Sequence, residues 1–193
     1  MITLDIETDK IDFTIKDRAA QMRKVRFGVA VTHSPEADFK HWMIDDLPEL
    51  WQYLKTDLVV GWNILDFDIP VIGHTIDKMH GFMPEGQLRT YDMFARVRAA
   101  TNRWYKLDIV AAATIKRIKT ADGLQAAEWL EKYWETGDFA WMQKTIDYCK
   151  DDVALERDLY LHLANTGPLR LPPRGERNET EYLLYHHDGR LSK

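Results

Sequence analysis

The chain begins "MITLDIETD", which places Asp5 and Glu7 two positions apart at the end of a run of good strand formers. In a strand, side chains at i and i+2 share a face. Ile2, Leu4 and Ile6 therefore face one way, and Thr3, Asp5 and Glu7 the other. An amphipathic strand with one wet face accounts for that pattern. So does a pair of carboxylates converging on a metal ion, and the remaining acids must decide between the two.

Two further stretches supply such acids. In "VVGWNILDFDIPVI", residues 59–72, a strand ends at Gly61, the chain turns, and a helix begins near Asp68 with Pro70 in its first turn. Aspartate is a favoured N-cap that stabilises a helix by roughly 1 kcal/mol, and asparagine, here Asn63, suits a turn. Each has an ordinary explanation. "IDYCKDDVALERDLYL", residues 146–161, lies inside a long helix. Tyr148, Asp152, Leu155 and Leu159 follow i, i+4, i+7, i+11 and form one stripe, beside Met142, Ile146, Cys149 and Val153. Asp152 thus falls within the apolar face, whereas Asp151 belongs with Lys144, Asp147 and Asp158 on the polar one. A carboxylate turned to a core is costly unless it is paired, hydrogen-bonded or metal-bound. A structural salt bridge is the alternative for Asp152, and no dedicated basic partner stands out. Tyr148 alone reads as a core tyrosine.

Four acids in one place repel one another, and protonation or divalent cations must relieve the strain. Oxygen-only ligands select hard cations, magnesium or manganese. Two such ions about 3.5–4 Å apart can clamp the attacking and leaving oxygens of a phosphoryl displacement.

The elements that must position these acids follow from local pattern. "MITLDI", "KVRFGVAVT" and "DFKHWMI" read as an antiparallel meander separated by polar, turn-rich segments. "DDLPELWQYLKT" reads as a helix with an acidic cap and an early proline, and "LVVGWN" as a short buried strand. "DIPVIGHTIDKMHG" reads as a helix closed by Gly81, and "QLRTYDMF" as holding another strand. Helices are expected at about residues 92–101, 107–118, 122–135 and 138–163. Strands, then strand–helix alternation, then helices describe an α/β fold with a central mixed sheet. Residues 1–165 form the expected domain, and 166–193 an extension. From Gly167, "GPLRLPPRGERNET" is rich in proline, glycine and charge and is expected to leave the globule. "EYLLYHHDGRL" beyond it is either a small hairpin turning at Asp188-Gly189 or a loose tail.

Composition bounds the function. The 193 residues suffice for one full core. With 45% hydrophobic and 30% charged residues the chain reads as globular. One cysteine excludes an internal disulfide and fits a reducing cytosol, and no apolar run is long enough to span a bilayer. A cytoplasmic protein without a membrane partner is the expectation. A net charge of -5 argues against nucleic-acid binding by bulk electrostatics, though not against an enzyme that grips a short strand. Trp62, Trp104 and Tyr105 could stack on bases, with "NRWYK" as a strand-binding patch. Arg96, Arg98, Lys116, Arg117 and Lys119 are either phosphate contacts or solvated helix faces.

In order along the chain, "LDIET", "GWNILDFDIP" and "YCKDD" resemble the three motifs of the DEDD superfamily of 3′→5′ exonucleases, whose fold is RNase H-like. Tyr148 four residues before Asp152 matches the tyrosine subclass, and Asp147 stands where the histidine subclass has its histidine. Three residues separate Asn63 from the Phe67-Asp68 pair, and Pro70 follows two later. That spacing, with "YC" in the third motif, is similar to the proofreading domain of family B DNA polymerases. The resemblance covers about residues 1–163 and no polymerase domain, so a stand-alone exonuclease is expected. It implies that Asp5, Glu7, Asp68 and Asp152 hold two divalent ions, Mg2+ or Mn2+, and that Tyr148 orients the attacking water. Asn63 and Phe67 would help place the terminal nucleotide, with Thr8 and Trp62 as further substrate contacts. The implied substrate is a single-stranded 3′ end, DNA before RNA, with a polymerase or helicase as a candidate partner. The rival is a non-catalytic module that binds a nucleic-acid end or a partner protein on the same fold.

Overall fold

The computed structural model describes residues 1–118 and 123–172, together with the backbone of two later strands. Five strands form one mixed sheet: β1 (Ile2–Thr8), β2 (Phe27–Ser34), β3 (Asp38–Trp42), β4 (Leu58–Gly61) and β5 (Arg89–Asp92). Their order is β3-β2-β1-β4-β5, which puts β1 at the centre. The first three strands pair antiparallel, as the meander reading expects, and β4 and β5 continue the sheet in parallel pairing.

Seven α-helices accompany the sheet among the described residues. They are α1 (Arg18–Lys24), α2 (Leu47–Leu54), α3 (Asp68–His80), α4 (Met93–Thr101), α5 (Leu107–Ile115), α6 (Gly123–Thr136) and α7 (Phe139–Asn165). The α/β class with a central mixed sheet is therefore as expected. Helix α1 is an addition, because its segment reads as polar connection. Asp17 caps it by accepting from Ala20 N, Arg23 and Lys24 close its last turn, and Met22 anchors it in the core. Helix α5 stops short of residue 118 because Lys116 adopts a left-handed φ of 61°.

Alternation along the strands sorts the core into two faces. Ile2, Leu4, Ile6, Ala30 and Val59 pack with Leu50 and Leu54 of α2 and Ile72 and Ile76 of α3. On the other face, Val29 and Val31 pack with Leu130 of α6 and with Met142, Ile146, Cys149 and Val153 of α7. Val60 and Tyr91 pack with α5 and with Leu155 and Leu159, farther along α7. Helix α7 thus crosses the sheet on the face to which Asp5 and Glu7 belong.

The chain does not leave the globule at Gly167. Strand β6 (Leu169–Leu171) buries both leucines against the cluster that includes α5. Each fully buried leucine is worth about 2 kcal/mol. Arg170 N donates to Thr114 Oγ1 at 2.9 Å, which fixes β6 to α5. Its outer edge pairs antiparallel with β7 (Glu181–Tyr185), which in turn pairs antiparallel with β8 (Leu191–Ser192). That pairing is the one a hairpin would make, with the expected Asp188-Gly189 turn outside the described residues.

Candidate active site

Strand β1 runs on to Thr8, so Asp5 and Glu7 lie inside it rather than at its end. Asp5 stands opposite Val31 and Glu7 opposite Val29, with an irregularity in the pairing just after Glu7. Cys149 of α7 reaches this face. Its Sγ donates to Asp5 Oδ2 at 3.3 Å and lies 3.4 Å from Asp5 O. One carboxylate oxygen from each of Asp5 and Glu7 and the Cys149 sulfur all lie within 4.8 Å of one another.

Asp68 does not cap its helix, contrary to the simplest reading. The N-cap of α3 is Phe67, without a side-chain cap, and Asp68 is the first helical residue. Its Oδ1 accepts from Ile6 N at 3.1 Å. Strand β4 ends at Gly61 while β1 continues, so the Asp68 carboxylate takes an amide of β1 beyond the β4 pairing. The close strand contact needs a glycine there, since a Cβ on Gly61 would sit 2.7 Å from Leu4 O.

Charge links the fourth acid to the other three. Asp68 is buried, and its carboxyl is held well above the usual carboxylate range, first by burial and then by the charges of Asp5 and Asp92. The Cys149 thiol is pushed well above its ordinary value, first by burial and then by Asp5, Glu7 and Asp152. Asp5, Glu7 and Asp152 thus act on the Cys149 thiol, and Asp5 acts on Asp68. Asp152 is buried and Asp151 exposed, as the helical phase requires. Tyr148 is buried one turn before Asp152, with its ring edge-on to Trp129 of α6 at 6.3 Å. The paired carboxylates of Asp5 and Glu7 on the central strand offer oxygen donors of the kind that suits a hard divalent cation. Cys149 stays a neutral thiol that donates to Asp5 and is not counted among the ligands.

The loop from Trp62 to Phe67 is held by two buried acids that pattern reading passes over. Asp92, at the end of β5, accepts from Asn63 N and Ala95 N through Oδ1 and from Leu65 N through Oδ2, each at 3.0 Å. Glu156 of α7, one turn beyond Asp152, accepts from Trp62 N at 3.1 Å. Periodicity could have found Glu156, because it shares the inward face with Cys149 and Asp152. Nothing in the sequence marks Asp92 beyond its place as an N-cap.

Of the expected substrate contacts, Thr8 and Phe67 line a cavity of about 450 Å3 beside Glu7, with Ile11, Phe13 and Leu124. Asn63 takes a left-handed φ of 70°, and its buried Oδ1 finds no hydrogen-bond partner among the described residues. The Trp62 ring packs instead toward Phe94 of α4, at 5.9 Å. The "NRWYK" patch is corrected in part: Tyr105 is buried and cannot stack on a base, whereas Trp104 is exposed. Arg117 pairs with Asp158 and donates to Ala154 O, so it serves the fold. Lys119 lies outside the described residues.

The model of the RNase H superfamily matches residues 2–164. No curated protein matches the chain. Among solved structures, the family B DNA polymerase of the hyperthermophilic archaeon Pyrobaculum calidifontis is similar, with a TM-score of 0.61 and 15% identity. The match covers 84% of this chain and 24% of the polymerase, so the likeness is one of fold over about a quarter of that protein.

Proposed function

The chain belongs to the RNase H superfamily, and from that premise we propose that it is a metal-dependent exonuclease removing nucleoside monophosphates from DNA 3′ ends. The observation that carries this reading is that carboxylate oxygens of Asp5 and Glu7 lie within 4.8 Å of each other and of Cys149 Sγ on the central strand's α7-facing side, with the Asp152 charge acting on that thiol and the Asp5 charge on Asp68. Asp5, Glu7, Asp68 and Asp152 would hold two divalent cations, Mg2+ or Mn2+. When bound, the cations would supply Lewis-acid polarisation of the scissile phosphate and charge relief for the leaving oxygen.

The chain's own residues do the rest. Strand β1 gives Asp5 and Glu7 a fixed seat, which tight placement of ligands demands. The Cys149 thiol, donating to Asp5, orients that carboxylate without competing for a hard cation. Tyr148 would orient the attacking water with its hydroxyl, from the turn of α7 before Asp152. The cavity lined by Phe67, Phe13 and Leu124 beside Glu7 offers an apolar wall for a terminal base and sugar. Trimming of 3′ ends in proofreading or repair is the role that suits this chemistry.

The test is a gel assay on strands labelled at the 5′ end, DNA and RNA in parallel, with magnesium, manganese or chelator. Stepwise shortening of DNA with release of monophosphates, and protection by a blocked 3′ terminus, are expected. Internal cutting at equal speed defeats the reading, and faster shortening of RNA replaces the substrate.

A further inference from the structure

Trp104 is 56% exposed, yet its ring is not loose. It packs against the buried Phe94 of α4 at 4.9 Å, and Phe94 in turn packs against Trp62 at 5.9 Å. Arg98 lays its guanidinium over the Trp104 ring, 4.5 Å from the centroid, and pairs with Asp66 at 3.6 Å. A shallow cleft of about 460 Å3 adjoins Arg98, lined by Asp66, Ala95, Ala99 and Asn102. The result is a ridge with a supported aromatic plate and a cation beside it. We infer that this ridge binds single-stranded DNA upstream of the 3′-terminal nucleotide.

Charge favours this occupant over a protein. From Met93 to Leu107 the sequence carries Arg96, Arg98, Arg103 and Lys106 and no acid, in a chain of net charge -5. An anionic partner gains from that local reversal, although Asp66 lies within the ridge. The Arg98–Asp66 pair is solvent-exposed and worth little, so a phosphate can take over the guanidinium. A nucleobase, whatever its identity, can stack on an exposed indole, with the Arg98 guanidinium free to swing from the ring to a phosphate.

Position ties the ridge to the candidate site. Trp62 and Asp66 belong to the loop that ends at Asp68, and Arg18 holds that loop from its other side by donating to Asp66 O at 3.1 Å. The ridge thus adjoins the loop that leads into Asp68. The direction of the strand rests on the exonuclease reading; the binding itself does not.

The experiment measures fluorescence anisotropy of labelled oligothymidylate of about twelve nucleotides, in chelator so that nothing is cut. Trp104→Ala should weaken binding about tenfold. Trp104→Phe should keep most of it, and Arg98→Ala should lower both affinity and its salt dependence. Each variant should remain folded at the assay temperature, checked by its melting curve, since both side chains are largely at the surface. Wild-type affinity in Trp104→Ala overturns the ridge. No binding by the wild-type protein also overturns it and turns the surface over to a protein partner. Tighter binding of the matching RNA overturns the commitment to DNA. If the ridge binds and the wild type releases no monophosphate with manganese, the exonuclease reading fails and the ridge stands.

Discussion

Asp68 Oδ1 and the backbone nitrogen of Ile6 lie 3.1 Å apart, joined by a hydrogen bond that spans 62 positions of sequence. It pins the first turn of α3 to the strand residue between Asp5 and Glu7. Asp68 is thereby tied to the strand that carries Asp5 and Glu7. Burying it there, beside the charges of Asp5 and Asp92, has an electrostatic cost, visible in the raised Asp68 carboxyl.

That cost has a sign that can be measured. A carboxyl whose folded pKa lies above its unfolded value contributes stability fully below the unfolded pKa and loses it as pH rises through the folded one. The unfolded reference here is 3.8. In chelator, Asp68→Asn keeps the acceptor for Ile6 N and removes the charge. It should therefore melt above the wild type at neutral pH, with the gap shrinking as pH falls toward 3.8. Added manganese should reverse the order, because ligation stabilises the wild type more. Thermal melts across pH, with and without metal, check both limbs. A gap in chelator that widens toward acid pH would contradict the assigned sign.

Asp92 carries a different prediction, because its three accepted hydrogen bonds hold the loop between β4 and α3 to the start of α4. Asp92→Ala leaves Asn63 N, Leu65 N and Ala95 N without that acceptor. Stability should fall by about 2 kcal/mol or more. At a temperature where the variant remains folded, amide exchange in residues 62–67 should quicken more than in α7. Equal quickening everywhere would mean that Asp92 supports the fold at large and not this loop.

Tyr148→Phe should retain the melting temperature and the metal-induced stabilisation, since the ring still packs edge-on to Trp129. Turnover should drop about a hundredfold, the low end for a group that positions a proton or water. Wild-type turnover across the pH profile would leave Tyr148 as packing alone.

What could be read in advance depended on how local the cause was. The faces of Asp5, Glu7 and Asp152 were legible because strict periods of 2 and 3.6 assign faces before any tertiary contact is known. Asp68 was placed at the start of α3 for the wrong local reason. Its cap role gave way to the Ile6 amide, a partner that only the sheet supplies. Asp92 was invisible for the same cause: its partners are backbone amides brought to it when β5 pairs with β4. Helix α1 has seven residues, too few for a period to stand out. At β6, proline, glycine and charge in the neighbourhood outweighed a three-residue alternation, Leu169, Arg170, Leu171, whose two leucines prove to be fully buried.

Asp151 and Asp152 offer the sharpest test of the helical phase. They are adjacent, yet successive residues point about 100° apart around a helix. Asp152 is buried and its charge raises the Cys149 thiol beside Asp5, whereas Asp151 is exposed. Asp152→Asn should abolish nuclease activity, because one of the four proposed ligands is gone. In chelator it should raise the melting temperature, since one of several mutually repelling charges is removed. Manganese should then raise the melting temperature less than it does for the wild type. Asp151→Asn should alter neither activity nor either melting temperature by much, as expected for a surface substitution. The readouts are the rate of monophosphate release and the melting temperature with and without manganese. An inactive Asp151→Asn beside an active Asp152→Asn would reverse the assignment and take with it the phase of α7 on which the site is built.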